Sequence, residues 1–191
     1  MKKTEGIKQL AVGAVFTALV VILQLLGSFI RFGPFSISLV LVPIVLGAAL
    51  CDTLIGGWLG FVFGVTVLLS GDAAAFFVVN PIGTVITVLV KGLLCGLAAG
   101  LVYSGVKNIN NYLAVFLAAI VCPIANTGVF LLGCKLFFME TITQWGISLG
   151  FSNVGKYMIF GLAGGNFVFE VVANLLLAPV ILRILNIFKK A

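Results

Sequence analysis

Long runs of apolar residues, separated by short polar or glycine-containing breaks, cover nearly the whole chain. A helix needs about 20 mostly apolar residues to cross a hydrocarbon core of about 30 Å. Six runs approach that length, and we predict transmembrane helices at 9–26, 36–50, 54–69, 81–105, 112–138 and 157–185. The pattern therefore predicts an all-α integral membrane bundle of six helices, which forms a single domain over residues 1–191.

The composition agrees with a surface that faces lipid. Of the 191 residues, 62% are hydrophobic and 8% are charged, whereas a soluble domain carries about 25% charged residues. The net charge of +6 comes mainly from basic residues that flank the apolar runs. This placement is typical of cytoplasmic helix ends, so we expect a multi-pass protein in a lipid bilayer and no nucleic-acid partner.

The basic residues also predict the orientation. An even number of spans puts both termini on the same side of the membrane. With cytoplasmic termini, seven basic residues lie inside, namely Lys2, Lys3, Lys8, Lys107, Arg183, Lys189 and Lys190. Three lie outside, namely Arg31, Lys135 and Lys156. The positive-inside rule therefore favours cytoplasmic N- and C-termini.

Two predicted helices carry glycine at every fourth position. The third contains Gly56, Gly60 and Gly64, and the fourth contains Gly92, Gly96 and Gly100. Residues four apart share a helix face, and a face without side chains lets two backbones approach closely. We predict that these two faces pack on each other; the alternative is that one of them receives a partner subunit.

Polar residues inside the predicted spans follow helical spacing. Steps of three or four residues join Asn80, Thr84, Thr87, Lys91 and Cys95 on the fourth helix, and Asn166, Glu170 and Asn174 on the sixth. Asn126 lies near the middle of the fifth helix, beside a probable kink at Pro123. Since a charge near the midplane costs about 3 kcal/mol, we expect Lys91 and Glu170 to face the bundle interior.

Lys91 and Glu170 fall at similar depth in the bilayer, which suggests two compatible interpretations. They form a structural ion pair between the fourth and sixth helices, or they belong to a polar cavity that binds a small solute. The predicted outer segments 27–35, 70–80 and 140–156 mix aromatic, amide, glycine and charged residues. This composition is typical of a lid over a site, and the alternative is that they are ordinary interfacial loops.

Several catalytic and metal-binding patterns do not occur in the sequence. It has no GxxxxGK[ST] phosphate loop, no HExxH motif, no histidine and no CxxC pair among its four cysteines. One GxSxG match occurs at 146–150, but the chain has no histidine to act as the base of a Ser–His triad. The chain therefore lacks the usual means of hydrolysing ATP, and we expect no catalytic residues, no metal site and no cofactor.

Three stretches and the six-helix layout resemble a known family. The stretches are VPIVLGAALCDTLIGGWLGFVFG at 42–64, NPIGTVITVLVKGLLCGLAAGLVY at 80–103 and GNFVFEVVANLLLAP at 165–179. Together with the pair Ala14-x-x-x-Ala18 on the first helix, they resemble the substrate-binding S components of energy-coupling factor (ECF) transporters.

This resemblance implies a role without enzymatic activity in the bacterial plasma membrane. Members capture a vitamin, such as riboflavin, pantothenate, folate or a related micronutrient, from outside the cell. They associate with a transmembrane scaffold subunit and two ATPase subunits whose ATP hydrolysis drives uptake. The resemblance also implies that Ala14 and Ala18 contact the scaffold.

The polar residues supply the candidate substrate contacts, which are Asn80, Lys91, Asn126, Lys156, Asn166 and Glu170. A substrate carboxylate could be neutralised by Lys135, Lys156 or Arg31, whereas Phe76 and Phe77 could stack on a flavin. One alternative function is a self-sufficient secondary transporter coupled to protons through Glu170, because membrane-embedded carboxylates are typical of proton relays. Another is a membrane structural protein whose polar stripes serve only to pack helices.

Overall fold

The computed structural model of the protein describes residues 2–29, 31–32, 35–36 and 39–190. Residues 30, 33 and 34 of the first outer segment and residues 37 and 38 of the second predicted span lie outside this description. Six side chains that the orientation argument uses also lie outside it, namely those of Lys2, Lys3, Lys8, Arg31, Lys189 and Lys190.

The described residues form nine helices, one π-helical segment and one small hairpin. In chain order they are α1 (Lys2–Ser28), β1 (Arg31–Phe32), β2 (Phe35–Ser36), α2 (Leu41–Leu50), α3 (Thr53–Ser70), α4 (Ala74–Phe77), α5 (Pro81–Val106), α6 (Asn111–Phe137), α7 (Met139–Ser148), α8 (Val154–Lys156), the π-helical segment (Tyr157–Gly164) and α9 (Gly165–Lys190). The two strands pair antiparallel, with Arg31 opposite Ser36 and Phe32 opposite Phe35.

Within the described residues, five helical stretches are long and apolar enough to cross a membrane. They are Gln9–Ser28, Thr53–Ser70, Pro81–Val106, Asn111–Phe137 and Val154–Ile187. Each corresponds to a predicted span, and most ends agree to within a few residues. The predicted all-α membrane bundle is confirmed, whereas the count of six spans and the orientation of the termini stay predictions.

The second predicted span, 36–50, is shorter than expected. Its helix, α2, covers only the 10 residues Leu41–Leu50, a length of about 15 Å, because residues 35–36 belong to the hairpin instead. Leu41, Ile44 and Val45 are fully buried, and α2 packs against α1, α3, α5, α6 and α9. This apolar segment is therefore a central core helix that is too short to span a bilayer by itself.

Short polar side chains define where the helices begin. The Asp52 carboxylate accepts a hydrogen bond from the Ile55 N–H at 2.8 Å, and the Asn80 side chain accepts one from the Gly83 N–H at 2.9 Å. Asn110 caps α6 in the same way through the N–H groups of Tyr112 and Leu113. These caps satisfy amide groups that have no partner within the first helical turn. The polar breaks in the apolar pattern are thus helix starts.

The glycine faces of α3 and α5 pack on each other, as predicted. A Cβ atom added to Gly56 would lie 2.8 Å from the carbonyl oxygen of Gly96, and one added to Gly64 would lie 2.8 Å from that of Val88. Cβ atoms added to Gly60 and Gly92 would lie still closer to the carbonyl oxygen of the other glycine. Contact between the two backbones fixes α3 beside α5, and this places Phe63 of α3 close to Lys91 of α5.

Gly96→Ala should lower the free energy of unfolding by about 1–3 kcal/mol, because the added methyl group overlaps the backbone of Gly56 and the helices must separate. The matched control is Gly105→Ala in the same helix, where an added Cβ meets no atom within 4 Å. The control should be neutral or stabilising by up to about 1 kcal/mol. Unfolding in detergent measures both variants, and equal stability would contradict the close contact.

Candidate binding cavity

A cavity lies between α1, α3, α5, α6, the π-helical segment and α9. Its volume is about 90 Å³, counted as the space open to the centres of water molecules. Its polar lining consists of Gln24, Asp72, Thr84, Thr87, Lys91, Asn126, Thr127, Asn166 and Glu170. Four phenylalanines also line it, namely Phe63, Phe76, Phe130 and Phe138. The cavity therefore combines ionisable groups, amides and aromatic rings in one partly open space.

Glu170 is the most buried ionisable group in the cavity, with 1% of its surface exposed. Its carboxylate accepts hydrogen bonds from Asn126 Nδ2, 3.2 Å and 3.4 Å from its two oxygens. It accepts another from Asn166 Nδ2 at 3.0 Å. A buried carboxylate requires such donors because it has lost its hydration. Asn126 and Asn166 therefore hold Glu170 in place from α6 and from its own helix.

Lys91 is held by aromatic rings, and the direct ion pair with Glu170, one of the two interpretations above, is not found among the contacts of the described residues. The Lys91 Nζ lies 5.3 Å from the ring centroid of Phe63 and 5.6 Å from that of Phe130. These are cation–π distances. Both charged groups line the same cavity, but the Asn126 and Asn166 amides occupy the hydrogen-bonding positions around the carboxylate. Lys91 and Glu170 therefore lie at similar depth on two helices and line the same cavity, but they do not contact each other.

A second carboxylate reaches the cavity from outside the predicted spans. Gln24 Nε2 of α1 donates a hydrogen bond to Asp72 Oδ2 at 2.6 Å, and Gln24 is 2% exposed. The sequence argument did not select either residue as a site residue. Helical spacing was an available signal, because Phe16, Val20 and Gln24 are four apart and all three are buried.

Two buried polar atoms in the cavity lining have no hydrogen-bond partner, namely Asn126 Oδ1 and Thr87 Oγ1. The orientation of the Asn126 amide follows from its neighbour, because a carboxylate accepts hydrogen bonds and the NH₂ group must face Glu170. Its oxygen is then left as a free acceptor. Since buried polar groups are nearly always paired, these atoms indicate a position for a ligand or for ordered water.

Aromatic residues from the outer segments pack beside the cavity. The Phe76 ring makes edge contacts with Phe130, Phe138 and Trp145, at centroid distances of 5.6, 5.1 and 5.5 Å. Phe76 belongs to α4 and Trp145 to α7, so two of the predicted outer segments meet there. This aromatic contact joins both segments to the wall of the cavity.

The π-helical segment was not predicted. It runs over Tyr157–Gly164 and leads directly into the part of α9 that carries Asn166 and Glu170. Leu162 and Ala163 from the segment also line the cavity. Widened turns of this kind occur frequently at functional sites. Here the segment and α9 each contribute two residues to one wall of the cavity.

The structure brings four of the six candidate substrate contacts together. Lys91, Asn126, Asn166 and Glu170 line the cavity, whereas Asn80 and Lys156 do not. The Asn80 side chain caps α5 instead, and Lys156 is exposed at the end of α8. Lys135 is also exposed. On α1, Ala14 and Ala18 are both exposed, so their face is open to a partner.

Among the described residues, no group of three His, Cys, Asp or Glu side chains could hold a metal ion. A search among curated proteins finds no match. A family model described as "ECF transporter, substrate-specific component" matches residues 8–184. The match covers nearly the whole chain, including four span-length helices in full, most of the fifth, and all the residues that line the cavity. The protein therefore belongs to the family of substrate-specific components of ECF transporters.

Proposed function

We propose that this protein captures a vitamin or related micronutrient outside a bacterial cell, in the cavity between its helices. It then delivers the substrate through a complex with a transmembrane scaffold subunit and two ATPase subunits, in the bacterial plasma membrane. The family match supports the transport role. The substrate contacts that we propose are Lys91, Asn126, Asn166 and Glu170.

The observation that carries this proposal is the cavity with its unpartnered acceptors. Structural polar residues inside a membrane bundle normally satisfy each other. Here Asn126 Oδ1 and Thr87 Oγ1 are buried beside an empty space and have no partner. Asn174 Oδ1 is also unpartnered but does not line the cavity. The support for binding is therefore that Asn126 and Thr87 line one cavity together with Lys91 and Glu170. The family match favours this function over a proton-coupled secondary transporter, which would use Glu170 as its proton carrier.

A vitamin screen against the purified protein in detergent tests the proposal. A ligand that binds only the folded state stabilises it by about 2.7 kcal/mol at a concentration 100 times its Kd. We therefore expect one vitamin to raise the melting temperature clearly, and uptake of that vitamin to require the scaffold and ATPases. If no vitamin raised the melting temperature and none were taken up with the complete complex present, the proposal would be wrong.

Cysteine labelling tests the proposed orientation. Ser152 is exposed in the outer segment between α7 and α8, and Lys107 directly follows α5 at the opposite side. In a Cys51→Ser background, Ser152→Cys should react with a membrane-impermeant maleimide in intact cells. Lys107→Cys should react only after the membrane is opened. The reverse pattern would place the C-terminus outside and would remove the basis for an outward-facing cavity.

A further inference from the structure

A second cavity is an open groove between the start of α6 and the last turns of α9. It has a volume of about 450 Å³, counted as the space open to the centres of water molecules. Seven residues line it, and three of them are polar, namely Tyr112, Arg183 and Asn186. Since α6 runs from the groove to the outer segment 140–156, the groove lies at the opposite end of the bundle from that segment.

We propose that this groove binds an anionic phospholipid, with the headgroup phosphate at Arg183 and an acyl chain along the apolar part of the groove. The groove shares no lining residue with the candidate binding cavity, so the two sites are separate. In the proposed orientation the groove opens to the cytoplasmic leaflet, where basic pockets between helices bind acidic headgroups. The proposal does not depend on which vitamin the protein captures.

The charge of the groove is the first argument. None of its lining residues is acidic, and Arg183 is exposed. The described acidic side chains lie elsewhere: Asp52 caps α3, Asp72 and Glu170 line the binding cavity, and Glu140 belongs to α7. An arginine side chain stays charged in proteins, and its paired N–H donors match two phosphate oxygens. The groove therefore offers an anion a positive charge that no lining residue neutralises.

Two neutral side chains supplement the arginine. Asn186 lies three residues after Arg183, so both project from the same face of α9. Tyr112 comes from the first turn of α6. Amide and phenol groups donate hydrogen bonds to phosphate oxygens, and tyrosine is typical of the headgroup level of a bilayer. Polar donors from two helices thus line the groove near the membrane surface.

The polarity of the groove changes along its length, which favours a lipid over free phosphate. Phe116 lies about 6 Å farther along the bundle than Tyr112, and Pro179 lies about 10 Å farther than Asn186. Both deeper residues are apolar and exposed. The groove is thus polar at the helix ends and apolar toward the middle of the bilayer. A phospholipid has the same order of headgroup and acyl chain, whereas free phosphate would occupy the polar part alone.

A different pair of helices forms the groove than forms the proposed scaffold contact. Ala14 and Ala18 lie on α1, which packs against α2 and α3, whereas α6 and α9 pack against each other. A scaffold helix on this face of α1 would therefore not occupy the groove. In the membrane the bilayer adjoins the groove, so lipid is the partner that the site meets at the highest concentration.

Lipid binding to the full chain in a neutral detergent tests the proposal. The probes are phosphatidylglycerol, which is anionic, phosphatidylcholine, whose phosphate is balanced by a cation, and glycerol 1-phosphate, which has no acyl chain. We expect phosphatidylglycerol to bind at least about tenfold more tightly than either other probe, because a hydrogen bond to a charged group contributes at least that factor. Native mass spectrometry measures the bound lipid. Equal binding of the two lipids would overturn the proposal, and so would equal binding of glycerol 1-phosphate.

Arg183→Gln and Lys107→Gln are a matched pair of variants. Both remove one exposed positive charge at the same end of the bundle, but only Arg183 lines the groove. Affinity for phosphatidylglycerol should fall at least about tenfold in Arg183→Gln and change less than about threefold in Lys107→Gln. Equal losses in the two variants would indicate a general attraction between surface charge and lipid, and would overturn the proposal.

A protein partner in the groove would give a different result. If Arg183→Gln prevented assembly with the scaffold and ATPase subunits while phosphatidylglycerol still bound as before, the groove would be a protein interface and the proposal would be wrong. We expect the reverse, with assembly retained and lipid binding weakened. Co-purification of the complex from cells that express all of its subunits measures the assembly.

Discussion

Replacing both Ala14 and Ala18 with leucine should reduce vitamin uptake by at least about 100-fold, while affinity for the substrate changes less than about threefold. Two membrane helices approach closely only where small side chains let their backbones meet. Two leucines on that face would keep α1 away from a scaffold helix. Uptake would then stop at the coupling step, although the cavity would remain unchanged.

The faces of α1 explain why binding should survive. Phe16, Val20 and Gln24 point into the bundle, and Gln24 reaches the cavity through Asp72. Ala14 and Ala18 are exposed on the other side of the same helix. The matched control is Gly128→Leu on α6, where a small exposed residue has no atom within 4 Å of an added Cβ. Radiolabelled uptake and calorimetry measure both variants, and normal uptake by the double-leucine protein would exclude this face as the scaffold contact.

The helices could be predicted from the sequence because hydrophobic length and glycine spacing depend on local chemistry. The spacing of Gly60 and Gly92 within their runs was enough to predict that α3 and α5 pack together, since only a side-chain-free face allows that approach. The α2 segment shows the limit of this reasoning. Its apolar residues fit a membrane span and a buried core helix equally well, and only the packing of its neighbours distinguishes the two.

The candidate site could be predicted only in part. Helical spacing and the energetic cost of a charge in lipid correctly predicted that Lys91, Asn126 and Glu170 face the interior. Neither argument determines distances across the bundle, so the sequence left the ion pair and the shared cavity both open. Asp72 was missed because its place in the cavity depends on the path of an outer segment, and the π-helical segment has no hydrophobic signature of its own.

The geometry around Glu170 divides its surroundings into two parts. Asn126 and Asn166 bind the carboxylate directly, so its removal would leave the buried amide of Asn126 and the partly buried amide of Asn166 without their acceptor. Lys91 instead rests against Phe63 and Phe130. Residues that share no contact usually contribute additively to stability, to within about 0.5 kcal/mol. Replacing either Glu170 or Lys91 should nevertheless strongly weaken the binding of a ligand that contacts both groups.

Glu170→Gln should therefore lower the free energy of unfolding by about 1–3 kcal/mol, because a glutamine oxygen satisfies one amide while its NH₂ group meets the other. Lys91→Met should lower the free energy of unfolding by less than Glu170→Gln does, and the double variant should show a coupling energy below about 1 kcal/mol. Each single variant should also weaken substrate binding by at least about 100-fold, whereas Glu140→Gln, at an exposed acid in α7, should change neither property. Unfolding and calorimetry on the four proteins of the cycle measure these effects. A coupling energy of about 3 kcal/mol would instead show a direct ion pair and would contradict the observed arrangement of α5 and α9.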